Sequence, residues 1–286
     1  MRWLVLGGGG MLATDLLAAL RDRNEDAVSV ARAECDITRP EDVRRRVQDA
    51  GVVVNCAAWT GVDQAEDAET QAFAVNAIGA RNVAVATQSA GARLLHLSTD
   101  YVFDGKGSRP YQPNDPQNPI SAYGRTKAAG EWAVRATDSN AIVVRTAWLY
   151  GAKGPHFLTA MLRAASRQDQ LSVVNDQVGQ PTWTKDLAEY LIALAAEDPP
   201  GGYYHGTNSG QVSRYELTRA LFRELGWDET RVTPCPTTEF PTKAERPLYS
   251  VLAHHNDGPT MPHWHDAIRR YLRETANPDH GSRTSV

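Results

Sequence analysis

At 286 residues, with 42% apolar and 22% charged side chains, the chain has the make-up of a globular protein with a large core, and its length fits about two domains or one extended α/β unit. A formal net charge of -4 argues against nucleic acid or an anionic membrane as partner, and no apolar run approaches the ~20 residues that crossing a bilayer takes. The cysteines Cys35, Cys56 and Cys235 are scattered, without a disulfide framework or metal-ligand spacing, and the N-terminal run is too short and glycine-rich for a signal peptide, so a reducing, cytoplasmic setting is expected.

Five short apolar runs read as buried strands: RWLVL (2–6), AVSVA (27–31), VVVNCA (52–57), RLLHLS (93–98) and AIVVRT (141–146). Apolar character on both faces predicts a parallel sheet covered by helices on each side. Helical segments at 11–23, 40–50, 70–90 and 121–136 have the length of crossovers. The expected fold is a doubly wound parallel Rossmann-like α/β sheet over residues 1–150. From 151 to 275 the texture changes to a smaller lobe. A helix at 154–169 precedes LSVV, the turn-rich NDQVGQPTW, and a helix from about Thr184. After the break Pro199-Pro200-Gly201-Gly202 come a short YYH strand, a helix at 213–226, a proline-rich stretch from Pro234 to Pro247, and a helix at 263–275. This region is expected to complete a cleft, with elements returning to the main sheet. Residues 276–286 read as a polar tail.

The first strand runs straight into Gly7-Gly8-Gly9-Gly10-Met11-Leu12-Ala13. Gly8, Gly10 and Ala13 fit G-x-G-x-x-G/A, and Gly7, Gly10 and Ala13 fit a three-residue spacing. Small residues between a strand and a helix let the backbone approach a pyrophosphate and aim helix N–H groups at it. A plain glycine turn is the alternative. After the second strand stands Arg32 rather than an acid, which favours an adenosine 2′-phosphate and hence NADPH over NADH. Asp36 reads equally as an adenosine-side contact or as the cap of the helix at Pro40.

HLSTDYVFDG leads from a strand into a polar turn, placing Thr99 at a strand's carboxyl end, where an open parallel sheet meets its ligand. Tyr123 and Lys127, four apart, share one face of the next helix. Y-x-x-x-K alone is a frequent coincidence. Beside Thr99 and a dinucleotide turn it acquires a chemistry: the phenol donates a proton to a ketone oxygen as hydride reaches carbon, while the Thr99 hydroxyl steadies that oxygen. Lys127 and an oxidised nicotinamide are expected to lower the phenol from its ordinary value near 10.

The motifs GGGGMLA, CDITRPEDV, VVNCAAWTGVDQAE, FAVNAIGARNVA, HLSTDYVFDG, YGRTKAAGE, VVRTAWLYG, VNDQVGQPTWTKDLA and ERPLYSVL, spread over residues 2–275, resemble those of an extended short-chain dehydrogenase/reductase, specifically of the dTDP-4-dehydrorhamnose reductase family. The resemblance implies reduction of dTDP-4-dehydro-6-deoxy-L-mannose at C4 to dTDP-L-rhamnose. Matched motif by motif, Thr99, Tyr123 and Lys127 are the catalytic positions, and Gly10, Met11 and Leu12 belong to the pyrophosphate loop. Asp36 and Ile37 fall on the adenosine side, and Ala57, Ala58 and Trp59 line the cofactor. Thr99, Asp100, Tyr123 and Trp148 meet the dTDP-activated 4-keto-6-deoxyhexose. Asn76 is expected to support the strand ends through backbone hydrogen bonds.

Ala13 stands where the family often has a third glycine, Trp59 where it often has tyrosine, and VLAHHNDGPTMPHW departs from its serine/aspartate-rich pattern. Some members hold Mg²⁺ at a homodimer contact through carboxylates; the motifs assign no such ligands here. Alternatives from the same residues are reduction of another nucleotide-activated 4-ketohexose, or a noncatalytic nucleotide-binding subunit. His96, Ser98 and Asp100 crowd one strand end too closely for a hydrolase triad. His254-His255 and His263-x-His265 lack the companions of a metal site, and Trp227 and Trp264 read as hydrophobic anchors.

Overall fold

The computed structural model describes residues 2–254 and 259–276. His255, and the expected tail beyond Ala276, lie outside the described residues. The first half runs β1 (Trp3–Leu6), α1 (Met11–Asp22), β2 (Ala27–Val30), α2 (Pro40–Val47), β3 (Val52–Asn55), α3 (Val62–Asp67), α4 (Glu69–Phe73), a π-helical turn (Ala74–Gly79), α5 (Ala80–Ala90), β4 (Arg93–Thr99), α6 (Ala122–Thr137) and β5 (Ile142–Thr146). The second half adds β6 (Leu149–Tyr150), α7 (Phe157–Ala165), β7 (Leu171–Val174), β8 (Val178–Gly179), β9 (Thr182–Trp183), α8 (Thr184–Glu197), β10 (Gly202–His205), β11 (Val212–Ser213), α9 (Arg214–Glu224), β12 (Val232–Cys235) and α10 (Trp264–Ala276).

Six parallel strands form the main sheet in the order β10-β5-β4-β3-β1-β2. Alternation within β1 explains its apolar run. Trp3 and Val5 join a core with Leu12, Leu16 and Leu20 of α1 and Leu187 and Leu191 of α8. Leu4 and Leu6 pack on the opposite side with Val43 and Val47 of α2 and Val83 of α5. Strand order reverses at β1, so the turns after β1 and β3 face one another across the crevice where such sheets bind ligands.

The doubly wound parallel sheet with an additional C-terminal lobe is the fold expected. Three boundaries differ for local reasons. The single helix expected at 70–90 is broken by the π turn, which carries the buried Asn76. The third strand stops at Asn55, whose side-chain oxygen accepts the Ala57 N–H at 3.1 Å and so turns the chain. The helix expected from 154 starts at Phe157, where His156 and Thr159 form a capping box.

Beyond β5, α8 packs on α1 and β10 extends the main sheet beside β5. The remaining elements enclose a second core including Tyr150, Leu158, Trp183, Leu217, Leu221, Ile268 and Tyr271. A strap around 248–253 binds this lobe to the turn after β4. Leu248 C=O accepts from Val178 N–H at 2.7 Å, Tyr249 N–H donates to Gly105 C=O at 3.0 Å, and Tyr111 and Val251 join at 2.8 Å.

Candidate active site

The glycine run is required by geometry. Gly7 has φ +88°, and a Cβ there would lie 2.7 Å from Ala57 N; at Gly8 it would meet Ser29 Oγ and the Val30 carbonyl carbon at 2.8 Å. Gly9 has φ +86° with open space around it. Gly10 then caps α1 without any side-chain bond, and the first turn holds no acid. An uncapped helix end beside an open glycine surface fits a pyrophosphate, so the turn has the shape of a dinucleotide cradle, with Met11 and Leu12 opening the helix.

The opposite wall is the chain after β3. Asn76 clamps Trp59 from both sides: its Oδ1 accepts Trp59 N–H at 2.8 Å and its Nδ2 donates to Trp59 C=O at 3.1 Å. The same Nδ2 donates to Thr126 Oγ1 on α6 at 3.0 Å. Gly130 lets α6 come this close, since a Cβ there would lie 2.1 Å from Asn76 O. Ala57 abuts the Gly7 turn, and Ala58 continues the wall towards Trp59. At the far end Arg32 is largely exposed and pairs with Asp36 at 3.3 Å. Asp36 does not cap α2, whose N-cap is Arg39. It instead accepts from Thr38 N–H and Oγ1 at 3.0 and 2.7 Å, a closed turn that keeps its carboxyl below the usual range against the cost of burial. The Ile37 side chain points into the core against Gly79.

Thr99 ends β4, and its hydroxyl accepts Tyr101 N–H at 3.2 Å and donates to Asp100 Oδ1 at 3.0 Å. Ser121 caps α6 by accepting Gly124 N–H, which sets Tyr123 in the first turn. The phenol lies near enough to Thr99 for that hydroxyl to act on it, and its ring meets Tyr101 edge-on at 5.6 Å. Burial raises the phenol above its ordinary value; the Thr99 hydroxyl opposes this, and Asp100 and Tyr101 add to the rise. The expected lowering by Lys127 is not what the protein alone gives. Lys127, 2% exposed, donates to Leu97 C=O at 2.6 Å. Desolvation pushes its ammonium down to about 8, opposed by Glu131 and Cys56. The result is a phenol held protonated beside a readily titrated lysine.

On the sugar side, Asp100 is buried and pushed up to about 6 by desolvation, opposed by hydrogen bonds from Ser250 and Thr99 and by the charge of Arg214. Trp148 has φ +46°, and its ring occupies the space left by Gly179, where a Cβ would lie 2.6 Å from it. Arg214 stacks over that ring at 3.5 Å, beside a cavity of about 130 Å³ lined by Trp148, Phe157, Pro181 and Arg214. The sequence reading missed Arg214 and Tyr101. The signal for Arg214 was present: S-x-x-E at Ser213–Glu216 is a capping box that puts a cation in a helix's first turn. Tyr101 had no signal, because its role follows from contact with Tyr123. Among the described residues, no group of three or more His, Cys, Asp or Glu side chains could hold a metal.

A phosphate-cradling turn facing a hydroxyl–phenol–lysine group at the carboxyl edge of a parallel sheet defines a dinucleotide-dependent carbonyl oxidoreductase of the short-chain dehydrogenase/reductase class. The family model described as the RmlD substrate binding domain matches residues 1–277. A dTDP-4-dehydrorhamnose reductase from Streptomyces griseus is 47% identical over 258 residues, covering 88% of this chain and 85% of that protein. A dTDP-4-keto-6-deoxy-D-glucose reductase from Streptomyces niveus is 46% identical over 256 residues, covering 88% of each. The crystal structure of the dTDP-4-dehydrorhamnose reductase of Bacillus anthracis in complex with NADP superposes with a TM-score of 0.90 at 36% identity, covering 96% of this chain and 99% of that one. The chain belongs to the dTDP-4-dehydrorhamnose reductase family.

Proposed function

We propose that this protein reduces dTDP-4-dehydro-6-deoxy-L-mannose at C4 to dTDP-L-rhamnose, with NADPH preferred and NADH accepted. The observation that carries the reading is the grouping of Thr99, at the carboxyl end of β4, with Tyr123 in the first turn of α6 and Lys127 one turn along it. The bound dihydronicotinamide supplies the hydride. Tyr123, protonated at rest, gives its proton to the ketone oxygen as charge develops there. The Thr99 proton, which rests on Asp100, turns to the same oxygen. Lys127 holds a ribose hydroxyl of the cofactor and favours the phenolate left behind. The Gly7–Leu12 turn takes the pyrophosphate, Ala57, Ala58 and Trp59 line the nicotinamide half, and Arg32 meets the 2′-phosphate with Asp36 and Ile37 on the adenosine side. Asp100 and Trp148 bound the sugar nucleotide.

Residues 1–150 serve in this reading mainly as the cofactor half and 151–275 as the substrate lobe. Homodimerisation is part of the proposal, supported by exposed Phe73 at the end of α4, Ile78 on the π turn and Trp132 on α6; sedimentation of a monomer at micromolar concentration would remove it. The free cysteines support action in the reducing cytoplasm.

The deciding assay supplies dTDP-4-dehydro-6-deoxy-L-mannose with NADPH or NADH and identifies the sugar by NMR. Absence of reduction with either nucleotide would overturn the assignment. The relative named for dTDP-4-keto-6-deoxy-D-glucose, at 46% identity, supports a second reading in which the ketosugar differs. Incubation with that substrate separates the two.

A further inference from the structure

Arg214 opens α9, where the positive end of the helix repels a cation. Its guanidinium is half-buried, and loss of water pushes it down to about 10 against the pull of Tyr101 and Asp100. What it touches is aromatic: the Trp148 ring centroid at 3.5 Å and that of Phe157 at 4.6 Å. Among the described residues no carboxylate lies within ion-pair distance of it. A cation so placed costs stability unless something anionic arrives.

The surroundings are arranged to aim that cation. Trp148 adopts a left-handed backbone, unfavourable for a bulky residue, and thereby lays its ring under the guanidinium, with Gly179 leaving room behind it. Stacking leaves the edge of the guanidinium fork free for a planar pair of hydrogen bonds, the geometry that suits a phosphate. Arg246 adds positive potential at this point and is anchored by Asp63 of α3 at 2.6 Å. Asp100, the near carboxyl, pulls on the guanidinium without pairing with it, and its Oδ1 is already engaged by the Thr99 hydroxyl, so the fork stays free for a further anion.

We propose that Arg214, oriented by its stack on Trp148, binds the diphosphate of the nucleotide-activated substrate and selects it over unphosphorylated nucleosides and free sugars. This rests on the nucleotide-sugar reading above and names the group that recognises the diphosphate.

The test titrates thymidine, dTMP and dTDP into the NADPH-loaded protein by calorimetry, for wild type, Arg214→Gln and Arg214→Lys. Affinity for dTDP is expected to fall roughly 10- to 100-fold in Arg214→Gln, with NADPH affinity kept. Arg214→Lys, with charge but no planar fork, is expected to fall between. KM for the sugar nucleotide should rise with kcat little changed. Equal weakening of thymidine and dTDP would mean that Arg214 only buttresses Trp148, and unchanged dTDP affinity would reject the inference while leaving the functional reading intact. Wild type that binds neither dTDP nor the sugar nucleotide would sink both. Should Arg214→Gln fail to fold, the Lys variant and the salt dependence of wild-type dTDP binding decide: a dTDP affinity as salt-insensitive as that of thymidine, and unaltered in Arg214→Lys, overturns the proposal.

Discussion

Beneath the catalytic helix lies an ion pair that water does not reach. Arg145 of β5 and Glu131 of α6 are 1% and 0% exposed, joined at 2.7 Å through Nη2 and at 3.0 Å through Nε. Arg145 also donates to Pro113 C=O at 2.8 Å and stacks over Tyr203 and Phe103. Glu131 follows Lys127 by one turn and supports its proton. Replacing Arg145 by Met keeps much of the volume but leaves a buried carboxylate without its partner, a loss of about 3–5 kcal/mol. An unfolding entropy of ~2.1 cal/mol/K per residue gives roughly 0.6 kcal/mol/K for a chain of this length. The melting temperature should therefore fall by about 5–8 °C. Arg145→Met with Glu131→Leu removes both charges and should recover most of that loss, because buried pairs gain little over well-packed apolar groups. Calorimetric melting of the four proteins at pH 7 closes the cycle. If the double variant melts no higher than Arg145→Met, or if Arg145→Met melts within 1–2 °C of wild type (roughly 1 kcal/mol or less), the assignment of a tightly coupled buried pair is wrong.

Gly7→Ala and Gly9→Ala should separate conformational strain from collision. Gly9→Ala pays only the left-handed backbone, about 1–2 kcal/mol, whereas Gly7→Ala also drives a methyl against Ala57 and should cost clearly more and abolish NADPH binding; equal melting temperatures would refute this. Lys127, at about 8 when folded against 10.5 otherwise, binds fewer protons in the native than in the unfolded state between those values. Its destabilisation is therefore complete below pH 8 and relieved towards pH 10.5. The melting temperature of Lys127→Met minus that of wild type should fall over this range, and a constant difference would contradict the burial argument. Turnover should decline above pH 8 as the ammonium is lost, measured as kcat/KM against pH. Arg32→Ala should lower kcat/KM for NADPH by about 10-fold and leave that for NADH unchanged, so a parallel loss with both nucleotides would show that Arg32 does not read the 2′-phosphate.

The parts of this molecule visible in its sequence are those that short-range physics dictates. Strand runs that are apolar on both faces, and glycines that only a tight strand-to-helix turn needs, announce the sheet and its cradle without reference to anything distant. Tyr123 and Lys127 were visible through helical spacing, which fixes their shared face but not the direction of their influence. The lowering of the phenol expected from Lys127 together with an oxidised nicotinamide is not set by the protein alone, where burial by other elements dominates: the Lys127 ammonium bonds to a β4 carbonyl, and Tyr123 packs against Tyr101. The same distinction separates Asp36 from Arg214. A local turn with Thr38 decides Asp36, and sequence already held both partners, although the cap reading took the wrong one. Arg214 is decided by Trp148, 66 positions away and brought beneath it by a strained backbone angle and the bare Gly179. Sequence showed only that a cation occupied an unfavourable place in a capping box. That local anomaly is itself informative, because a charge retained where both helix dipole and burial oppose it points to an anionic ligand that compensates for the cost.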